Sequence, residues 1–291
     1  MATSSLLLLL ADGRFPAGAH AHSGGLEAAV AAGRVTDLAS LESFLVGRLT
    51  TAGLVGAAFA AAAHRVALPV GGAAADPAQP GARPLGRGHP AGRGPTPADS
   101  GGRSGAPADS GGTAAARDAF AENGGRSGAP DGSAVRSRAL AQLDAELDAR
   151  TAAPALRAVS RRQGRALLRA GRTIWPQASF GDLPVTPGGA HQPLVLGLLC
   201  AAAGLSRTET ATVAVYGTVT GAASAGVRLL GLDPYQVQAL LVGLADLCDG
   251  TAADAARAAD DPPERLPAAA APLADIHAEA HATWEVRLFA S

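Results

Sequence analysis

Asp12, His20, His22 and Glu27, all able to bind a metal or move a proton, fall in one short stretch, Asp12-Gly13-Arg14-Phe15-Pro16-Ala17-Gly18-Ala19-His20-Ala21-His22-Ser23-Gly24-Gly25-Leu26-Glu27. Two imidazoles in a loop beside carboxylates form a donor set that suits a transition metal. His277 and His281 are spaced four apart on one helical face, a second arrangement able to share a metal. Neither set is complete. A zinc-hydrolase helix of the HExxH type needs its glutamate directly after the first histidine, whereas Glu279 stands between the two and points elsewhere. Ser23 beside His22, with Asp12 upstream, contains the residue types of a nucleophilic triad, but Gly-x-Ser-x-Gly is absent and sequence neighbours rarely face each other. The histidines therefore read first as loop, surface or interface groups. An autonomous metal-binding hydrolase built on His20 and His22 is the rival reading.

Arginines form the other conspicuous pattern. Arg157, Arg161, Arg165 and Arg169 recur every four residues, with Arg172 continuing the line, and they share one face of a helix. Such a stripe could meet phosphates. No aromatic residue lies among these arginines to stack bases, and the whole chain carries a net charge of only −1. The stripe is expected to be a solvated face, paired in part with Asp144, Glu146 and Asp148 on the preceding helix, and no nucleic-acid partner is expected. The chain has no lysine, so its 24 basic residues are all arginine. That removes Schiff-base catalysis and the P-loop lysine of nucleotide hydrolases.

These groups must be positioned by helices. Asp37 is suited to cap a helix in which Leu38, Leu41, Leu45, Leu49, Val55 and Phe59 keep helical spacing, ending near Arg65. Leu140, Leu143 and Leu147 mark another, and Pro154 suits the first turn of a third that stops before Pro176. Pro193 starts a short apolar helix through Cys200. Ser206-Arg207-Thr208-Glu209 has capping-box form. The threonine- and valine-rich run after it favours a strand by local propensity, but its length decides for a helix. There Gly217, Gly221 and Ser224 form a small-residue face that another helix could approach closely. Asp233-Pro234 opens a helix with Val237, Leu240, Leu241, Leu244 and Leu247 inward, and a last helix spans Ile276 to Leu288. The fold class is all-α, a single helical-bundle-like domain.

From 69 to 133 the sequence becomes Gly, Pro, Ala, Ser, Asp and Arg with almost no large apolar residue, and Gly-Gly-Arg-Ser-Gly-Ala-Pro occurs at both 101–107 and 124–130. Such a tract cannot bury enough apolar surface to offset its ordering entropy, so it reads as a disordered insert between the helical parts 1–68 and 134–291. The leucine run at 6–10 is too short for a signal peptide and runs into Asp12. Thr210 to Val227 lacks charge but is too rich in Thr, Ser and Gly for a membrane span. The expected state is soluble, with no membrane partner. Cys200 and Cys248, both in apolar helical patterns, are expected to be buried thiols in a reducing cytoplasm.

Five collinear segments resemble the urease accessory protein F family, UreF. The first runs from Asp12, Phe15, Pro16 and Gly18 through His22 to Ser23, Gly25, Leu26 and Glu27. It is followed by Leu156-Arg157-x-x-Ser160-x-x-x-Gly164, His191-x-Pro193 with Gly197, and Ser224-Ala225-Gly226-Val227-Arg228-Leu229 with Leu232. The carboxyl end, His281 through Arg287-Leu288-Phe289-Ala290-Ser291, completes the set. Ala155 and Ala282 stand where the family commonly has glutamate. The resemblance implies a non-enzyme, an all-α homodimer that joins the urease accessory D (H) protein to the nickel-binding GTPase UreG and helps pass nickel to apo-urease. No cofactor would stay bound; His20 and His22 would contact nickel transiently. Asp12 to Glu27, with Arg228, would shape GTPase-facing and dimer regions. The tail around Arg287 and Phe289 would gain order on binding the D protein. Arg157 and His281 join these as candidate partner or dimer residues.

Overall fold

Helix α3 (Leu38–Arg48) begins where Asp37 and Ser40 cap each other. The Ser40 amide donates to the Asp37 carboxylate at 2.8 Å, and the Ser40 hydroxyl accepts from the Asp37 amide at 3.0 Å. The computed structural model describes residues 5–13, 15, 22–68 and 132–289. The expected 69–133 insert therefore lies outside the described residues except for its last two, which begin α5 (Gly132–Arg150). Other helices are α1 (Ser5–Ala11), α2 (Leu26–Ala31), α4 (Leu54–Ala67), α6 (Pro154–Ile174), α7 (Gln192–Ala202), α8 (Arg207–Leu230), α9 (Pro234–Gly243), α10 (Ala245–Ala258) and α11 (Pro272–Ala282). Among the described residues there is no β-strand, and the fold is all-α.

The helix expected from Asp37 to Arg65 is continuous but not uniform. Between α3 and α4 lies a π-helical turn, Leu49–Gly53. Thr50 and Thr51 donate their hydroxyls to the carbonyls of Val46 and Gly47, at 3.1 and 2.7 Å, which competes with the regular ladder and favours the wider turn.

The core centres on α4, α7 and α8. Ala57, Ala58 and Ala60 to Ala63 are all buried, and their small side chains let α7 come close. The contact is tight at Gly197, where an added Cβ would stand 2.3 Å from the Ala60 carbonyl oxygen. Alanine, which buries little area by itself, thus gains density through backbone proximity. Leu194, Val195, Leu199 and Cys200 complete that face. Cys248 is only half-buried, a departure from the expected buried thiol, while burial pushes the Cys200 thiol up to about 12.

The capping box at Ser206 and Glu209 is formed in both directions. Along α8, Thr210, Thr212, Thr218 and Thr220 each donate to the carbonyl four residues back. Helix geometry thereby satisfies the hydroxyls that local propensity would have assigned to a strand. Two stretches, Leu38–Ala67 and Arg207–Leu230, are long and apolar enough to cross a membrane by length and composition, and both supply core residues here.

Two expected helices end differently. The helix opened by Asp233 breaks after Gly243, and α10 starts afresh at Ala245 while Leu244 turns into the core. Glycine is a weak helix former, and the interruption is slight: the Leu244 amide still donates to the Leu240 carbonyl at 3.1 Å, and the Leu244 carbonyl accepts from the Cys248 amide at 2.9 Å. The last helix spans Pro272–Ala282 rather than reaching Leu288, and Ile276 is exposed. Its tail bonds to the other end of the chain.

Candidate functional site

Glu27 sits in the first turn of α2, buried, and its own amide donates to Ser23 Oγ at 3.3 Å. Its carboxylate gathers three donors from the carboxyl end. The Leu288 amide donates to Oε1 at 2.8 Å, the Phe289 amide to Oε2 at 2.9 Å, and His281 Nε2 lies 3.0 Å from Oε2. His281 is fully buried on α11, with Trp284 tilted against it at 4.6 Å between ring centroids. Phe289 is 4% exposed, and the Arg228 guanidinium from α8 lies over its ring at 4.4 Å from the centroid. Both oxygens of this buried carboxylate are thereby occupied by the tail and by α11. The turn α11 does not continue is replaced by these bonds.

The expected site residues divide accordingly. Ser23, Glu27, Arg228, His281 and Phe289 come together. Phe15 is buried in the core, His22 is half-buried, and Asp12 and Arg287 are exposed. Pro16, Gly18 and His20 lie outside the described residues, so the proposed nickel contact through His20 does too. Within the single chain the tail is packed as far as Phe289, because Glu27 satisfies its amides. His277 and His281 do not act as a pair. His281 points inward to Glu27, whereas His277 lines an open groove. Among the described residues no group of three or more His, Cys, Asp or Glu could hold a metal ion.

Arg157 serves locally, donating to the carbonyls of Thr151 and Ala152 at the end of α5. The rest of the arginine stripe builds a second centre. Arg161 Nη2 bridges Asp144 and Asp148 at 2.9 and 3.0 Å, while its Nη1 donates to Thr186 Oγ1 and the Gly189 carbonyl. The expected pairing with the acidic helix is therefore present at Arg161. Arg165 donates to the Gly188 carbonyl. Fully buried His191 donates its amide to Asp144 at 3.1 Å, and its Nε2 lies 2.7 Å from Asp148 Oδ1 and its Nδ1 2.9 Å from Ser160 Oγ. With Ser160 also accepting from the Gln192 amide, the neutral ring protonated at Nε2 satisfies every partner. Burial lowers the His191 pKa, and its bond to Asp148 only partly offsets this. Burial also pushes Asp148 up, but its bonds to His191 and Arg161 prevail and hold it below the usual carboxylate range. Gly164 admits the loop, since a Cβ there would be 2.2 Å from the Ala190 carbonyl.

Sequence reasoning paired the arginine stripe with the acids of α5 but missed that His191 and Ser160 join Asp144, Asp148 and Arg161 in one buried unit. The signal was a pair of acids one turn apart beside the buried face of Leu140, Leu143 and Leu147. Ala155 shows a related compensation: its amide, in the first turn of α6, donates to Glu279 of α11 at 2.7 Å. A carboxylate thus meets that helix start from another element.

Comparison with known proteins adds the following. The family model described as UreF matches residues 106–245. The urease accessory protein UreF of Mycolicibacterium vanbaalenii is 36% identical over 291 residues, covering 100% of both chains. That of Mycobacterium sp. strain JLS is 37% identical with the same coverage. The protein of the same name from Mycobacterium tuberculosis strain H37Rv is 35% identical over 255 residues, 88% of this chain and 86% of its own.

Proposed function

The chain belongs to the UreF family, and from that premise we propose that it is a urease accessory protein acting as an adaptor. One surface takes the accessory D (H) protein, another recruits the GTPase UreG, and the assembly, built on a homodimer in the cytoplasm, hands nickel as cargo to apo-urease. The chemistry then belongs to the partners, and this chain sets their arrangement.

The observation that carries this reading is the meeting of the two ends. The amino-terminal segment and the carboxyl-terminal tail, which bear the most particular residues of the sequence, converge on the Glu27 carboxylate. Outside that buried centre Val286 is 83% and Leu288 74% exposed, so the anchored tail offers apolar side chains to a partner. Arg287 lies between them and is also exposed. An aromatic anchor under an arginine with apolar neighbours is a common composition for interface centres.

The test is reconstitution of urease activation at limiting nickel from apo-urease, the D protein and UreG, with and without this chain. Activation that requires the chain is expected, as is loss of D-protein binding on deletion of residues 285–291. Equal activation without the chain would overturn the adaptor role, and unchanged D-protein binding by the truncated chain would remove the tail from it.

A further inference from the structure

One face of α6 is strongly positive. No acidic residue occurs in the sequence between Asp148 and Asp182, and Arg162, Arg165, Arg169 and Arg172 of α6 are all exposed. At about 100° per residue they fall within an arc of about 80°. The acids nearest to this face are already engaged. Arg161 bridges Asp144 and Asp148, and Asp182 accepts from Arg136 at 2.7 Å. Among the described residues no carboxylate pairs with the four arginines. The stretch 69–131 holds as many acids as arginines, so it adds no net charge of its own.

Beside this face stands an apolar contact point on a braced turn. Arg161 Nη1 donates to Thr186 Oγ1 at 3.0 Å, and Arg165 donates to the Gly188 carbonyl. Thr186 Oγ1 donates to the Gly189 carbonyl and the Gly189 amide to the Thr186 carbonyl, each at 2.9 Å. Gly188 and Gly189, at φ +95° and +85°, supply the backbone that turns the loop back. Val185, next to Thr186, is fully exposed there. A lone exposed valine is ordinary, but this one is held beside the arginine row by Arg161 and Arg165, so a partner meets it at little ordering cost. Nucleic acid would use the arginines but gain nothing from Val185, and no aromatic ring lies among the arginines to stack a base. A second copy fits poorly as well. About a two-fold axis the face would set arginine against arginine, and pairing it with the exposed Asp246 and Asp249 of another copy's α10 would build a head-to-tail ring or open chain. An acidic, partly apolar segment of another protein uses both the charge and the valine.

We propose that this face docks an acidic segment of another protein, whose carboxylates meet Arg162, Arg165, Arg169 and Arg172 and whose apolar side chain covers Val185. The choice of partners for testing it rests on the functional reading above.

The test places p-benzoylphenylalanine at position 185 of the full chain. The chain is irradiated in the reconstituted mixture of D protein, UreG and apo-urease, with a DNA duplex added and urease activation read in the same tube. The expected product joins position 185 to an Asp- or Glu-bearing peptide of one of those three proteins. Its yield should fall about tenfold with Arg162→Gln, Arg169→Gln and Arg172→Gln combined, which at 1.4 kcal/mol per decade is about 0.5 kcal/mol for each exposed pair. Arg165, which ties the loop, is left in place. Lysine at the same three positions should keep the yield, because the charge is retained. Raising the salt from about 0.1 M to about 1 M, where the screening length falls from about 10 Å to about 3 Å, should lower it. A link to the duplex, to a second copy or to residues 69–131 in place of a partner would overturn the proposal. So would no link at all, a yield indifferent to the glutamines or to salt, or an equal loss with lysine. A tube that fails to activate urease overturns the functional reading alone, since the link and its dependence on charge are read separately.

Discussion

Two buried histidines each meet a carboxylate in this molecule, and their settings differ in almost every other respect. His191 is enclosed by Asp144, Asp148, Ser160 and Arg161, so its charges balance within one junction of α5, α6 and α7. His281 meets Glu27 across 254 residues of chain, and that carboxylate also holds two backbone amides of the tail. The first centre is locked by side chains on three helices. The second holds a segment with few other attachments. A network of the first kind fixes the fold, whereas one of the second kind fixes where a partner-facing segment lies, so its loss should be local.

Substitutions can break or sharpen this contrast. Asp144→Ala should have the largest effect, because it leaves Arg161 and the His191 amide short of a buried acceptor. A loss of about 3–5 kcal/mol in global stability is expected from breaking such a buried pair, measured by denaturant unfolding. Gly164→Ala should follow at about 3 kcal/mol, since its methyl would press on the Ala190 carbonyl. Glu27→Gln should lower global stability by only about 2 kcal/mol, while abolishing hydrogen-exchange protection at the amides of Leu288 and Phe289. Retained protection there, or a global loss equal to that of Asp144→Ala, would erase the distinction. Arg165→Ala, on the exposed part of the stripe, should stay within about 0.5 kcal/mol of the parent.

Acidity probes the first centre. The unfolded chain protonates His191 as the pH falls through its ordinary value of 6.5, whereas the folded chain resists until lower pH. The unfolded state then binds more protons, so stability falls with pH from about 6.5 down to the lowered folded value. Asp148 acts in the same sense below 3.8, because folding favours its ionised form. In urea titrations at several pH values, His191→Asn should flatten the first slope. An unchanged slope would mean that His191 does not carry it.

Much of the helical framework was legible in the residues. Asp37 with Ser40, and Ser206 with Glu209, bond within a single turn, so their types and spacing suffice to place helix starts. Pro154 likewise stands at the start of α6. The break at Leu244 was not legible, because Leu244 keeps the inward register its spacing gives and only its backbone, at φ −89° and ψ 0°, loosens for one residue. Nor was the division of labour among the arginines: Arg157, Arg161 and Arg165 repeat identically in sequence, yet one caps carbonyls, one joins two acids and one ties a loop.

The sequence by itself therefore determined that the chain is helical, where α3, α6, α7, α8 and α9 begin, and that the residues from Asp12 to Glu27 are special. Local hydrogen bonds and apolar periodicity act over a few residues, and their signals survive without the fold. Only tertiary structure decided what Glu27 does. Its tail donors arrive from residues 261 and 262 positions away, and bonds over such separations depend on how the helices pack, which no local spacing records. His281 shows the same limit: its spacing from His277 suggests a shared metal, but the packing of α11 turns it towards a carboxylate at the opposite end of the chain.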